Sequence, residues 1–273
     1  MTRSVADKRA AFRALHQQGC FVLPNPWDVG SARLLQHMGF AALASSSAGF
    51  AWTTGRPDYA VTRDDVLQHL SMLCAAVDLP VNADFESGFA SAPDELAANV
   101  GRVIKTGVAG FSIEDRVFAK PSELHDIDYA VRRIAASRVA VDHSGQDVIL
   151  VARTEGLLID PKAVKPAIEK LVAFADVGAD CLYAPGVRDK ADIQAMVRAV
   201  SPKPLNVLMA WPGPSVAELA ELGVRRISVG GALARVAFEA VAKAAERLKA
   251  GSFDALPSGA PAVKLNDIFG SFG

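Results

Sequence analysis

Short apolar runs recur along the chain, and each stops at a polar or Gly/Pro cluster. They are CFVLPNP (20–26), AALASSS (41–47), LPVNADFE (79–86), GFSIED (110–115), VILVARTE (148–155), CLYAPG (181–186), PLNVLMA (204–210) and RRISVGG (225–231). Runs of this length, bounded by turn residues, predict buried strands. The segments between them carry helical spacing. Val66, Leu70, Leu73 and Val77 share one helical face. Ser215 followed three residues later by Glu218 predicts a capped helix start. TGVAGF, DVGADC and ELGVRR each read as a helix that breaks at Gly before the next strand.

Eight alternations of buried strand and amphipathic helix predict a parallel sheet covered by helices. Eight units in 273 residues fit an α/β fold of the (β/α)8 TIM-barrel type. An open doubly wound sheet is the alternative, but no Gly-rich dinucleotide fingerprint follows the first strand. The barrel is expected over 1–250, with its last helix near 232–249. The tail 251–273 carries Val263, Leu265, Ile268 and Phe269, and is expected to dock on its own subunit or a neighbour.

Composition narrows the class. A hydrophobic fraction of 51% supports a large core, and a net charge of -1 offers no basic field for nucleic acid or an anionic membrane. Cys20, Cys74 and Cys181 lie far apart and form no CxxC pair, which fits a reducing compartment. The charged N-terminal stretch is unlike a signal segment, and no apolar run reaches the roughly 18 residues of a membrane span. These features predict a cytoplasmic protein whose partner is a small molecule.

Barrel chemistry gathers at the C-terminal ends of the strands. In order, those ends supply Asn25 and Asp28; Ser45, Ser46 and Ser47; Asp84 and Glu86; Glu114 and Asp115; Arg153 and Glu155; Asn206; and Gly230 and Gly231. Asp84 and Glu86, two apart on a strand, are expected to face one side, with Glu114 arriving from the next strand. Converging carboxylates repel, so some stay protonated or a cation neutralises them. The ligands are all oxygens, which suits Mg²⁺ (or Mn²⁺) rather than Zn²⁺. The plainer alternative is that these acids cap helices or pair with Lys and Arg. Arg153 closes an apolar strand, either as a clamp for a substrate carboxylate or enolate, or as a salt bridge to Glu155 or Glu114. The Ser45–Ser47 turn suits a carboxylate, or is an ordinary loop. Asn206 caps a helix or touches ligand, and Asp28 reads as an N-cap. Gly230 and Gly231 suit a phosphate, or form a turn. His16, His37, His69 and His143 are expected on the surface, whereas His125, after strand four, is the one His to watch. No Lys ends a strand, which argues against a Schiff-base aldolase.

Together, GRPD (55–58), ADFESGF (83–89), GFSIEDRVFAK (110–120), LVARTEG (150–156), GADCLYAPG (178–186) and KPLNV (203–207) resemble the isocitrate lyase and phosphoenolpyruvate mutase superfamily. That resemblance implies a barrel whose last helix is exchanged between neighbours in a homo-oligomer, dimer or tetramer. It implies Mg²⁺ held by Asp84, with Glu86 and Glu114 acting through water, and a 2-oxo acid or its enolate as ligand. Ser45–Ser47 would hold the substrate carboxylate, Arg153 the enolate oxygen, and Asp58 would lie near the reacting group. The departures also matter. The loop after strand four, RVFAKPSELHDIDYAVRRI, has no Cys where isocitrate and methylisocitrate lyases place a proton donor. Ser122 stands where the mutase has Asn, and Pro185 stands where methylisocitrate lyases have Glu.

The resulting expectation is a Mg²⁺-dependent carbon–carbon lyase, like an oxaloacetate decarboxylase or related to methylisocitrate lyase. It would act on a small 2-oxo mono- or dicarboxylic acid through an enolate, with Asp58, His125 or water as proton donor. The alternatives are a phosphonopyruvate hydrolase or phosphoenolpyruvate mutase, and a non-catalytic 2-oxo acid binder.

Overall fold

The apolar runs become eight parallel strands. The computed structural model describes residues 3–256 and 259–272. Its strands are β1 (Phe21–Leu23), β2 (Leu43–Ala44), β3 (Val81–Asp84), β4 (Gly110–Glu114), β5 (Arg116–Val117), β6 (Lys120–Leu124), β7 (Ile149–Arg153), β8 (Cys181–Tyr183), β9 (Leu205–Leu208) and β10 (Arg226–Ser228). Its helices are α1 (Val5–Leu15), α2 (Val29–His37), α3 (Ser47–Thr53), α4 (Arg63–Ala76), α5 (Pro93–Lys105), α6 (Ile127–His143), α7 (Gly156–Ile159), α8 (Val164–Asp176), α9 (Lys190–Val200), α10 (Val216–Glu221), α11 (Ala232–Lys249) and α12 (Ala262–Gly270). The parallel sheet runs β1-β10-β9-β8-β7-β4-β3-β2. At the β1–β2 seam, Ala44 N donates to Pro24 O at 3.0 Å, and Asn25 Nδ2 donates to Ser45 O at 2.9 Å. The sheet is therefore a nearly closed (β/α)8 barrel, and the open-sheet alternative falls away.

Strand alternation divides the core in two. Leu150, Ala152 and Leu182 point outward and pack with Leu70, Leu73, Val100, Ile134 and Leu171 of the helices. Ile149, Val151, Cys181 and Tyr183 point inward and meet Phe12 of α1. Further along the interior the inward residues turn polar: Asn82, Ser112, Arg226 and Ser228 are all buried. Local capping agrees with the sequence. Asp28 accepts from Ser31 N at 2.7 Å at the start of α2, and Ser215 with Glu218 forms a capping box on α10.

The strand-four loop differs from a plain connection, because β5 and β6 pair as an antiparallel hairpin. Two of the expected surface histidines are buried instead. His16 packs edge-on between Phe12 and Phe21 at 4.6 and 5.2 Å, and His69 stacks on Phe50 at 4.0 Å. Their aromatic faces outweigh their polar edges. In the tail, α12 packs against α2, and the Arg33 guanidinium lies 5.1 Å from the Phe272 ring. Along α11 only Ala234 is buried, while Val236, Phe238 and Val241 are exposed. No helix among the described residues is long and apolar enough to cross a membrane.

Candidate active site

The polar strand ends converge on one cavity of about 160 Å³. Asn25, Ser45, Ser46, Ser47, Asp58, Asp84, Arg153, Gly230 and Gly231 line it, together with Asn82, Ser112, Tyr183, Arg226 and Ser228. A wider groove of about 960 Å³ runs along α11. It holds none of the strand-end polar residues, so volume alone does not locate the chemistry.

Asp84 is the anchor. Its backbone N donates to Ser45 Oγ at 2.9 Å, and its Oδ2 accepts from Ser47 N at 3.1 Å. The Ser45–Ser47 turn is thereby tied to β3, and Ser46 caps α3 by accepting from Gly49 N at 3.1 Å. Asn25 completes the frame, since its Oδ1 accepts from Val229 N and Gly230 N, both at 2.9 Å.

Glu86 reaches the cluster by a different route from the one strand spacing predicts. β3 ends at Asp84, and Glu86 lies beyond it in a turn with φ of 49°. That left-handed backbone is costly for a residue with a Cβ and persists where surrounding contacts enforce it. Gly88, at φ of 76°, makes the turn possible: a Cβ there would fall 2.1 Å from Leu96 Cδ1.

Arg153 sits among the acids with its side chain 14% exposed. Its Nη1 lies 3.2 Å from Asp84 Oδ1 and 3.5 Å from Glu114 Oε2, and its Nε lies 2.5 Å from Glu155 Oε1. Arg116 holds the other Glu155 oxygen at 3.1 Å. Burial alone would lower the Arg153 pKa, but Glu155, Glu114 and Asp84 together outweigh it and hold the group well above its ordinary value. Both sequence alternatives for Arg153 are therefore realised in geometry: it is salt-bridged, and it lines the cavity.

The carboxyl groups remain crowded. Burial, then Asp84 and Asp58, pushes Glu86 up to about 8. Burial pushes Glu114 well above the usual carboxyl range, although Arg153 pulls the other way. Asp58 is raised by burial and then by Asp84, partly offset by the Ser47 hydroxyl. Among the described residues, Glu86 Oε1 and Glu114 Oε1 are buried and accept no hydrogen bond, although Arg116 Nε lies 3.9 Å from Glu114 Oε1. Buried carboxyl oxygens short of donors beside Asp84 are suited to a hard cation. Among the described residues, however, no three His, Cys, Asp or Glu side chains form a ready-made metal cage. Asp84, with Glu86 and Glu114 close by, is the group that could hold such an ion, with water completing its coordination.

A model of the phosphoenolpyruvate phosphomutase family matches residues 12–249. The chain belongs to the isocitrate lyase/phosphoenolpyruvate mutase superfamily. A Burkholderia cenocepacia J2315 structure, provisionally named a lyase/mutase, superposes with TM-score 0.94 at 43% identity, covering 97% of each chain. The structure of 2,3-dimethylmalate lyase, a member of the same superfamily, gives TM-score 0.86 at 28% identity, covering 96% of this chain and 94% of that one. The oxaloacetate decarboxylase of Pseudomonas aeruginosa is 30% identical, covering 82% of this chain and 79% of its own. Members of this superfamily act on small acids, and the named relatives include lyases.

Other sequence-derived residues fall outside the cavity lining. His125 begins where the β5–β6 hairpin ends. Its N donates to Asp115 O at 2.8 Å, its O accepts from Lys170 Nζ at 3.0 Å, and its ring lies 4.7 Å from Tyr129. These contacts tie it to α6 and α8, and it does not line the cavity. Asn206 is one step back from the cavity, where its Nδ2 donates to Ser228 Oγ at 3.0 Å. Asp115 is structural, pairing with Lys170 at 2.6 Å and accepting from Thr154 and Glu155 N at 2.8 and 2.9 Å. Tyr183, Arg226 and Ser228 line the cavity without having been singled out from sequence. Their signal was polarity at the inward positions of otherwise apolar strands.

Proposed function

We propose that this protein is a carbon–carbon lyase or decarboxylase acting on a small 2-oxo acid. The observation that carries this reading is Arg153, fixed between Asp84 and Glu155 in the cavity that also holds Asp58 and the Ser45–Ser47 turn. Mg²⁺, held by Asp84 with Glu86 and Glu114 as outer acids, would supply the positive charge that makes an enolate accessible. The Ser45–Ser47 turn receives the substrate carboxylate. The Arg153 guanidinium faces the 2-oxo oxygen, where charge develops as the bond beyond C3 breaks. A fixed donor of this kind contributes roughly 3–4 kcal/mol to the transition state.

The leaving fragment departs as CO₂, or as an aldehyde where a hydroxyl on the departing carbon gives its proton to water, and the bonding pair passes into the C2–C3 enolate. Asp58 then returns a proton to C3, giving pyruvate or a substituted 2-oxo acid. Burial and then the Asp84 charge raise its pKa, the direction a donor requires.

The test is a panel of 2-oxo acids and phosphonopyruvate, assayed with and without Mg²⁺. Metal-dependent turnover of a 2-oxo acid such as oxaloacetate is expected, and Asp84→Ala is expected to abolish it. Turnover of phosphonopyruvate alone would move the assignment to phosphorus chemistry. Thermal stabilisation by oxaloacetate with no turnover of any substrate would make the protein a binder.

A further inference from the structure

Arg226 is an inward residue of β10 and is 3% exposed. It lines the same cavity as Asp58, Asp84 and Arg153, yet no carboxylate pairs with it among the described residues. Its Nη1 donates to Asn82 Oδ1 at 3.3 Å, its Nε is buried without a partner, and the Phe12 ring lies 5.8 Å from its guanidinium carbon. The titratable groups around it are neutral at pH 7: Cys181 and Tyr183 are pushed up to about 11 and 12, and His16 down to about 3, each mainly by burial. Another buried arginine shows what satisfaction looks like here. Arg133 donates to the carbonyls of Ser87, Ala90 and Ser91. A guanidinium has five N–H donors, and leaving a buried charge unpaired is costly.

Register places the two cavity arginines in one row. Arg153 pairs with Tyr183, Tyr183 with Asn206, and Asn206 with Arg226 across β7, β8, β9 and β10. Arg226 leans on Asn82, which precedes Asp84 by two residues, roughly 6.6 Å along β3. It therefore lines the cavity beside Asn82, on the side from which β3 runs up to Asp84. The volume of about 160 Å³ equals that of roughly five waters, the scale of a small acid.

We propose that Arg226 receives a second carboxylate of the substrate, so that the site selects dicarboxylic over monocarboxylic 2-oxo acids. This rests on the 2-oxo acid reading above and narrows it. The test is calorimetric binding of 3,3-difluorooxaloacetate, phosphonopyruvate and pyruvate with Mg²⁺ present, to wild type, Arg226→Gln and Arg226→Lys. Wild type is expected to prefer the diacid over pyruvate by about tenfold or more. Arg226→Gln is expected to bring that ratio to within about twofold, with Arg226→Lys in between. A larger preference for phosphonopyruvate that Arg226→Gln removes would keep the receptor and make its anion a phosphonate. An unchanged ratio in folded Arg226→Gln overturns the inference, as does equal binding of diacid and pyruvate by wild type. Should Arg226→Gln fail to fold, an unchanged ratio in Arg226→Lys overturns it equally. Wild type that binds none of the three probes instead removes the 2-oxo acid reading.

Discussion

At the N-terminal end of the barrel, Lys8 and Arg9 of α1 are nearly as buried as any acid at the opposite end. Lys8 Nζ donates to the carbonyls of Cys74 and Val77 at 2.9 and 2.6 Å. Arg9 donates to Val108 O and Ile104 O at 3.0 and 2.8 Å. Cys74 and Ile104 are in the last turns of α4 and α5, where carbonyls lack intrahelical partners and favour positive charge. Charge there is matched by groups the fold itself supplies. At the C-terminal end, five carboxyl groups (Asp58, Asp84, Glu86, Glu114, Glu155) surround two guanidiniums (Arg116, Arg153), and among the described residues two buried carboxyl oxygens accept no hydrogen bond. One end is closed by its own chemistry, whereas the other is completed only by something that binds. Buried charge therefore marks function by its unmet partners rather than by burial.

The largest effect should come from breaking the closed end. Phe12 is fully buried beneath the strands, and Phe12→Ala is expected to lower stability by about 3–5 kcal/mol. Denaturant titration measures this. Metal-dependent steps at Asp84 and Arg153 should be affected less than stability, whereas binding through Arg226, whose guanidinium lies 5.8 Å from the Phe12 ring, should weaken with it. At the open end, Arg153→Ala is expected to lower kcat by about 10²–10³, with Arg153→Lys recovering only part. Steady-state kinetics on the best 2-oxo acid decides this, and a full-rate Arg153→Ala enzyme would strip Arg153 of its assigned role.

A smaller effect follows from pH. The Glu86 carboxyl stands near 8 in the folded protein against an ordinary 4.5, through burial first and then Asp84 and Asp58. Between those values the folded state holds a proton that the unfolded chain has released. The contribution of Glu86 to stability therefore falls as pH rises through that window and levels off above it. His16 and His69, held neutral by burial, make stability rise until the unfolded chain loses their protons near 6.5, so melting midpoints measured in EDTA should decline from about pH 6.5 to 8, and Glu86→Gln should flatten the decline. A wild-type midpoint that rises over this range would contradict the crowding of acids at this end.

The eight strands were legible because each apolar run stops at a polar or glycine cluster, as parallel strands buried on both faces require. Asp84, Arg153 and the serine turn were legible for the same reason: polar groups end otherwise apolar runs. The β5–β6 hairpin was hidden, since KPSEL carries no alternating apolar face and one Pro. Glu86 was placed in the right cluster by the wrong geometry, because a left-handed turn leaves no trace in residue spacing. Arg226 was hidden by its neighbour. Arg225 and Arg226 are adjacent, and only strand register shows which one enters the barrel. Arg225 donates to Gly19 O on the surface, while Arg226 turns inside.

The smallest effect belongs to a charge that is neither buried nor short of a partner. Lys120 lies on the hairpin above the open end, with its side chain 63% exposed, 3.2 Å from Glu123. As a basic residue of the segment after β4 it is an obvious candidate to meet a phosphonate. Its position argues otherwise, since solvent screens an exposed pair and leaves it worth roughly 0.2–1 kcal/mol at most. Lys120→Ala is therefore expected to change stability by less than about 0.5 kcal/mol and to leave kcat/KM for a 2-oxo acid within about twofold. Paired with Arg153→Ala in one kinetic series, it separates charge that solvent already satisfies from charge held for a ligand. A large loss confined to phosphonopyruvate would show instead that the hairpin closes over the cavity and that Lys120 serves the phosphorus reaction.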